Sequence, residues 1–163
     1  MKFSNELEME CYIRGLIKNR ITKKNKHIYS LDNKKAVDII VCRDGKHPAL
    51  FFLELKYHQK KHGRLGFGHA KGGGFQPEIV SRESAYFEKN LRWVLASEVH
   101  KKDGLLFVNS EIIRKHVSGG KVGKKFNNIQ AKIFIEEKKL MLKEEAFVKA
   151  LMEWVGAKNV VRP

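Results

Sequence analysis

The sequence is short of cysteine, short of acid and without a long apolar run, and each shortage excludes something. Its two cysteines, Cys11 and Cys42, stand far apart with no second thiol beside either. Neither a disulfide framework nor a thiolate zinc site is read from such a pair, and both are expected as small buried apolar residues. No stretch approaches the roughly 18 consecutive apolar residues of a membrane span. The opening "MKFSNELEME" is too acidic and too polar for a secretory leader. No segment sets a basic face against a Trp or Phe face at helical spacing, so a membrane-surface helix is not expected either. A soluble, cytoplasmic protein without membrane contact is the expectation.

The shortage of acid is the most informative. Against 33 Lys and Arg stand 18 Asp and Glu, a formal charge of +15. An excess of this size sets up a long-range field that attracts polyanions, and nucleic acid is the first partner to consider. A chain of 163 residues is long enough for one ordinary core and short for two, so one compact domain over residues 1–163 is expected. No internal repeat or low-complexity block interrupts it.

From Asn5 to Asn19, Met9, Tyr12, Ile13, Leu16 and Ile17 fall on one side at helical spacing, with Ser4 or Asn5 as cap. A polar, Lys-rich connection from Arg20 to Lys35 follows, in which "HIYSL" can form a short strand. Ala36–Cys42 and Ala49–Tyr57 are rich in Val, Ile and Phe and flank "RDGKHP", which predicts a β-hairpin. Gln59 to Gly74, glycine-rich and basic, reads as a mobile surface loop. After Pro77, "PEIVSRESAYFEKNLRWVLASE" carries Ile79, Val80, Tyr86, Phe87, Trp93 and Val94 and reads as a second long helix. "GLLFVN" from Gly104 reads as a buried strand, Glu111–His116 as a short helix and "VSGGKVGKKFNN" as a second basic loop. "IQAKIFIEE" and "KLML" read as a closing hairpin, and Glu144–Val155 as a final helix ended by Gly156. The order predicts an α/β fold: a mixed central sheet flanked by helices.

Three charges interrupt the predicted hairpin: Asp38, Glu54 and Lys56. Residues two apart in a strand share a face, so Glu54 and Lys56 point the same way, and Phe51, Leu53 and Leu55 point the other. Charges at the end of a strand that is apolar on both faces cost free energy unless something neutralises them. A hairpin folded symmetrically about Lys46 sets Asp38 opposite Glu54. A two-residue turn at Asp44-Gly45 sets Phe51 there instead, and either register leaves both acids toward the open end. Two adjoining carboxylates repel unless a divalent cation sits between them, and hard oxygen ligands suit Mg2+, with Mn2+ a substitute. Such an ion can polarise a phosphate and lower the pKa of a bound water, while Lys56 orients that water or offsets charge on the phosphorane. The chemistry implied is phosphodiester hydrolysis. The competing reading is a surface hairpin whose charges make ordinary solvated pairs.

"VD" at Val37-Asp38, followed across a hairpin by "FFLELK" with Glu54 and Lys56, resembles the PD-(D/E)XK nuclease superfamily. That superfamily includes type II restriction endonucleases, Holliday junction resolvases and repair nucleases. The resemblance covers about Ala36 to Tyr57, and Val37 stands where the family's proline is usual. It implies a restriction-endonuclease-like αβββαβ core, metal binding by Asp38 and Glu54, and assistance to the water by Lys56. Many members carry a further metal-facing Glu on the first helix; Glu6 and Glu10 both lie at the edge of the apolar arc, and Glu10 is the preferred candidate.

Beyond Lys56 come His58, Lys60, Lys61, His62, Arg64, His69 and Lys71, so the densest positive charge adjoins the proposed site. Lys60, Lys61, Arg64 and Lys71 are expected at the DNA backbone, and Arg64, Gln76 and Arg82 are candidates for reading bases. "SGGKVGKK" from Ser118 fails as a nucleotide-phosphate loop, since Ser118 takes the first glycine position and Lys125 the place of the magnesium-binding hydroxyl. His58 and His62 have zinc-ligand spacing but no third ligand. Trp93 and Trp154 sit in apolar patterns and are expected in the core or a subunit interface.

The expectation is thus a magnesium-dependent endonuclease acting on double-stranded DNA, a type II restriction enzyme before a junction resolvase. It would act as a homodimer so that two sites meet two strands. A non-catalytic nucleic-acid-binding module is the alternative from another class.

Overall fold

The computed structural model describes residues 3–31, 37–67, 80, 84–118 and 128–156. The first helix, α1 (Glu6–Leu16), starts where the Asn5 side chain accepts the Glu8 N–H at 2.9 Å, and Glu6 and Glu8 suit the positive end of its dipole. It buries Met9, Ile13 and Leu16 and continues into a π-helix over Ile17–Thr22, which buries Ile17 and Ile21.

The strands β1 (Ile28–Leu31), β2 (Ile39–Arg43) and β3 (Ala49–His58) form an antiparallel meander. Ile39 pairs with Leu53 and Arg43 with Ala49, which is the register centred on Lys46 rather than that of a two-residue turn. The longer connection from Asp44 to Pro48 includes Gly45 at φ +90°, a conformation that costs glycine nothing. Three strands precede the next part of the main sheet: β4 (Arg64–Gly66) belongs elsewhere, and after helix α2 (Ala85–Asn90) comes β5 (Leu91–Ser97). β5 runs parallel to β3, with Phe52 beside Leu91 and His58 beside Ser97. β6 (Leu105–Val108) returns antiparallel to β5 and leads into helix α3 (Ser110–Lys115).

A second, three-stranded antiparallel sheet is made by β4, β7 (Val117–Ser118) and β8 (Asn128–Gln130) in the order β4-β8-β7. Helix α4 (Ile133–Glu136) and a 3-10 turn (Lys138–Leu140) lead to β9 (Met141–Leu142), and α5 (Glu144–Trp154) closes the described chain. The main sheet has the order β1-β2-β3-β5-β6-β9, with β3 and β5 its parallel pair. The chain is therefore a mixed α/β protein with a mixed six-stranded sheet.

Both faces of that sheet are covered. On one, Met9, Ile13, Ile17 and Ile21 from α1 and the π-helix join Phe147 and Leu151 of α5 over Val41, Leu53, Leu55 and Val94. On the other, Leu65 and Ile129 of the small sheet, Ile113 of α3 and Phe134 of α4 pack on Trp93, Leu95 and Leu106. Burial of apolar area on both faces of β3 and β5, at about 25 cal/mol per Å2, makes these two strands the centre of the fold.

Four sequence expectations are corrected. Leu91–Ser97 is a strand, not the second half of a long helix: "LRWVLAS" is buried on both faces, and such an unbroken apolar run has no period to tell the two apart. "IQAKIFIEE" and "KLML" do not pair; β8 pairs with β4 and β7, and β9 with β6. The segment after Gln59 is no loop throughout, since Arg64–Gly66 is a strand that buries Leu65, followed by the buried Phe67. Cys42 is buried as expected, but Cys11 is exposed on α1. Among the described residues no helix is long and apolar enough to cross a membrane.

Candidate active site

β2 begins one residue after Asp38, whereas β3 runs five residues beyond Leu53, the last to pair with β2. One edge of this overhang is paired with β5, from Glu54 beside Trp93 to His58 beside Ser97. On the other edge the Asp38 side chain extends the ladder, its Oδ2 accepting the Leu55 N–H at 2.6 Å. That bond fixes the Asp38 carboxylate beside the Glu54 position. The Asp38 carbonyl is held in turn by Arg14 of α1, whose Nη2 donates to it at 2.7 Å while Nη1 donates to the Leu31 carbonyl at 2.8 Å.

Glu54 is fully buried. Burial pushes its carboxyl well above the usual carboxylate range, and the Asp38 charge, a hydrogen bond with Asp38 and the Glu6 charge add to the push, with Lys56 opposing it. Asp38 and Glu54 thus lie close enough for the charge of one to raise the proton affinity of the other's buried carboxyl. Lys56 is 5% exposed, and its Nζ lies 3.4 Å from Glu6 Oε1. The arrangement is a buried Glu54 carboxyl beside the half-buried Asp38 carboxylate with one ammonium near it, just before β2 begins and where β3 runs on past it.

The two helix glutamates take different partners. Glu10, the preferred candidate from sequence, accepts from Arg14 Nε at 2.8 Å, whereas Glu6 reaches Lys56. Sequence reasoning missed Arg14, although its i, i+4 spacing from Glu10 was a visible signal. Lys60, Lys61 and Arg64 are exposed on the turn and strand that follow β3. Lys71, Gln76 and Arg82 lie outside the described residues. His58 is no metal ligand here: Nδ1 shares a hydrogen bond with Ser97 Oγ at 2.9 Å, Nε2 meets the His62 carbonyl, and the ring stacks on Phe134. Trp93 is core, its Nε1 donating to Ser110 Oγ at 3.0 Å.

Among the described residues no group of three or more His, Cys, Asp and Glu comes together to hold a metal ion. Two carboxylates nevertheless suit magnesium, which dehydrates reluctantly and is ordinarily held by one or two carboxylates plus water and phosphate oxygens. The approach of the Asp38 carboxylate to the buried Glu54 carboxyl is what favours a cation, because a divalent charge between them would relieve their repulsion.

The raised Glu54 value fixes the sign of a pH effect on stability. The fold keeps Glu54 protonated to higher pH than the unfolded chain does, so this contribution is full below the ordinary carboxylate range and is lost as pH rises through the raised value. Glu54→Gln cannot ionise. With chelator present, the variant is expected to melt with the parent below the ordinary carboxylate range and increasingly above it as pH rises beyond that range. Magnesium should then raise the melting temperature of the parent alone. Equal melting curves below and beyond that range would show that Glu54 is not the strained group.

Compared with protein-family models, with curated proteins and with solved structures, the chain matches none.

Proposed function

We propose that this chain is a magnesium-dependent endonuclease acting on double-stranded DNA, with a restriction-endonuclease-like core, and in the first instance a type II restriction enzyme. The observation that carries the reading is the opposition of Asp38 and Glu54 across the end of the β2–β3 hairpin, with Lys56 on the next residue of the same strand face. A structural hairpin has no reason to bury a carboxyl against a second carboxylate at the point where its ladder stops.

Asp38 and Glu54 would hold Mg2+ or Mn2+, which when bound supplies Lewis acidity toward a phosphate oxygen and a lowered water pKa. Every other part belongs to the chain. Asp38 is aimed by the Leu55 N–H, so its carboxylate cannot swing away from Glu54. Lys56, buried along its stem, holds its ammonium where an attacking water is oriented and where charge developing on phosphorus is offset. Glu6 holds that ammonium in position at the mouth of the site. Lys60, Lys61 and Arg64, exposed just past β3, would take the strand's phosphates without reading sequence. Cutting both strands needs two such sites, which is the argument for a homodimer.

The test is plasmid incubated with purified protein and magnesium, with and without chelator. Cleavage that the chelator stops, giving discrete bands from linear duplex, is the expected result. Preference for a four-way junction over duplex would move the reading to a resolvase of the same chemistry. Tight DNA binding with no cleavage under either condition would leave a binding module and sink the nuclease.

A further inference from the structure

A cleft of about 530 Å3 opens at the other end of β3 from the acid pair. It is lined by Arg43 at the end of β2, Phe51 near the start of β3, Lys89, Asn90 and Arg92 where α2 passes into β5, and Trp154 in the last turn of α5. Ala49 and Glu54 are five residues apart on β3, so about 17 Å separates the cleft from the acid pair.

Among its described lining residues the cleft holds three cations and no carboxylate. Among the described residues none of the three forms an ion pair, and both guanidiniums are held by main-chain carbonyls instead. Arg43 Nε donates to the His47 carbonyl at 2.9 Å and Nη1 to the Val155 carbonyl at 2.7 Å, with the guanidinium 5.4 Å over the Phe51 ring. Arg92 Nη1 donates to the Glu88 and Leu91 carbonyls at 2.8 Å each, with the guanidinium 5.2 Å over the Trp154 ring. The Glu88 charge acts on Arg92, yet its carboxylate accepts from Arg114 at 2.7 Å. Burial pushes the Arg92 guanidinium below its usual value, with Glu88 opposing.

Cations gathered with no carboxylate among the described lining repel one another, and a partly buried one is poorly hydrated; both costs fall when an anion enters. Carbonyls that orient a guanidinium leave its remaining N–H groups pre-set for a bidentate acceptor, which is the geometry of a phosphate. The volume exceeds what one phosphate fills and lies within the range of small-ligand sites. Trp154, partly exposed at the cleft, gives an aromatic edge and Asn90 an amide for the edge of a base. We propose that this cleft binds a nucleoside 5′-phosphate, the phosphate between Arg43, Lys89 and Arg92 and the base beside Trp154 and Asn90. The same group can come from a free nucleotide or from the 5′ end of a DNA strand. The proposal stands whether or not the acid pair cleaves DNA.

Calorimetric titration of the full chain with deoxyadenosine 5′-monophosphate, in chelator, tests it. Saturable binding is expected, at least about tenfold tighter than that of deoxyadenosine. Lys89→Glu, at an exposed position, should weaken it roughly tenfold, and Arg43→Gln should do the same. Should Arg43→Gln unfold for want of its carbonyl bonds, Lys89→Glu carries the test alone. Glu54→Gln should bind as the parent does, because the acid pair is not involved. A short single-stranded DNA with a 5′-phosphate that binds tighter than both the mononucleotide and the same strand ending in hydroxyl identifies a strand end as the source; equal affinity of mononucleotide and phosphorylated strand identifies the free nucleotide. No saturable binding, binding unchanged by Lys89→Glu, or binding lost in Glu54→Gln overturns the proposal.

Discussion

Replacing Glu54 by Gln is expected to lower magnesium-dependent cleavage at least about 10^3-fold while duplex binding stays the same or tightens. The two side chains have nearly the same shape, so the fully buried position keeps its packing. What is lost is charge: an amide cannot replace its proton with a cation, and Asp38 alone is a poor magnesium site. Removing a carboxylate also removes repulsion toward the phosphate backbone, which is why affinity should not fall. Lys56→Ala is expected to cost about 10^2-fold or more in cleavage rate with little effect on metal affinity, since its ammonium acts on the reacting groups rather than on the ion. Single-turnover cleavage and filter binding at fixed salt separate the two quantities. A Glu54→Gln protein that cuts at the parental rate would remove the acid pair from the chemistry altogether.

Gly104→Ala should destabilise the fold by roughly 3 kcal/mol, which for a chain of this size lowers the melting temperature by about 9 °C. Gly104 sits at φ +121°, a conformation L side chains rarely adopt, and a methyl group there would stand 2.2 Å from the Leu142 carbonyl oxygen and 3.0 Å from the Lys143 nitrogen. Neither is the yielding end of a side chain. Relief requires pulling β9 from β6, and β9 leads directly into α5, whose Phe147 and Leu151 cover one face of the main sheet. Urea or thermal unfolding of the variant measures the loss, and a melting temperature within about 1 °C of the parent would mean that this junction gives way freely.

The hairpin and its charges were legible because the signals agreed with one another. Alternation within "FFLELKYH" set Glu54 and Lys56 on one face, while the turn residues left two registers open, of which β2 and β3 adopt the one centred on Lys46 that His47-Pro48 weakly favoured. α1, β1, β6, α3 and α5 were legible from periodicity and caps. β5 was not: every residue of Leu91–Ser97 except Arg92 is buried, and a segment covered on all sides carries no amphipathic period. The small sheet escaped for another reason, since strands of two or three residues such as β4, β7 and β8 are held by tertiary pairing and leave almost no local pattern. Within the site, strand parity placed Glu54 and Lys56, but whether Glu6 or Glu10 approached them depended on how α1 sits across the sheet. Arg14 decides that orientation by binding Glu10 and the main chain at Leu31 and Asp38, a long-range arrangement that spacing within one helix does not encode.

The parallel pairing of β3 with β5 gives evolution a place to experiment. Parallel neighbours need a long crossover, and in this chain everything from Gln59 to Asn90 serves that purpose. Closing a longer crossover adds free energy only as the logarithm of its length, so doubling it costs roughly 0.6 kcal/mol. Glu54 and Lys56 precede that crossover, and their strand is paired with β5, which follows it. Insertions and deletions in the crossover are therefore cheap so long as β5 still reaches β3.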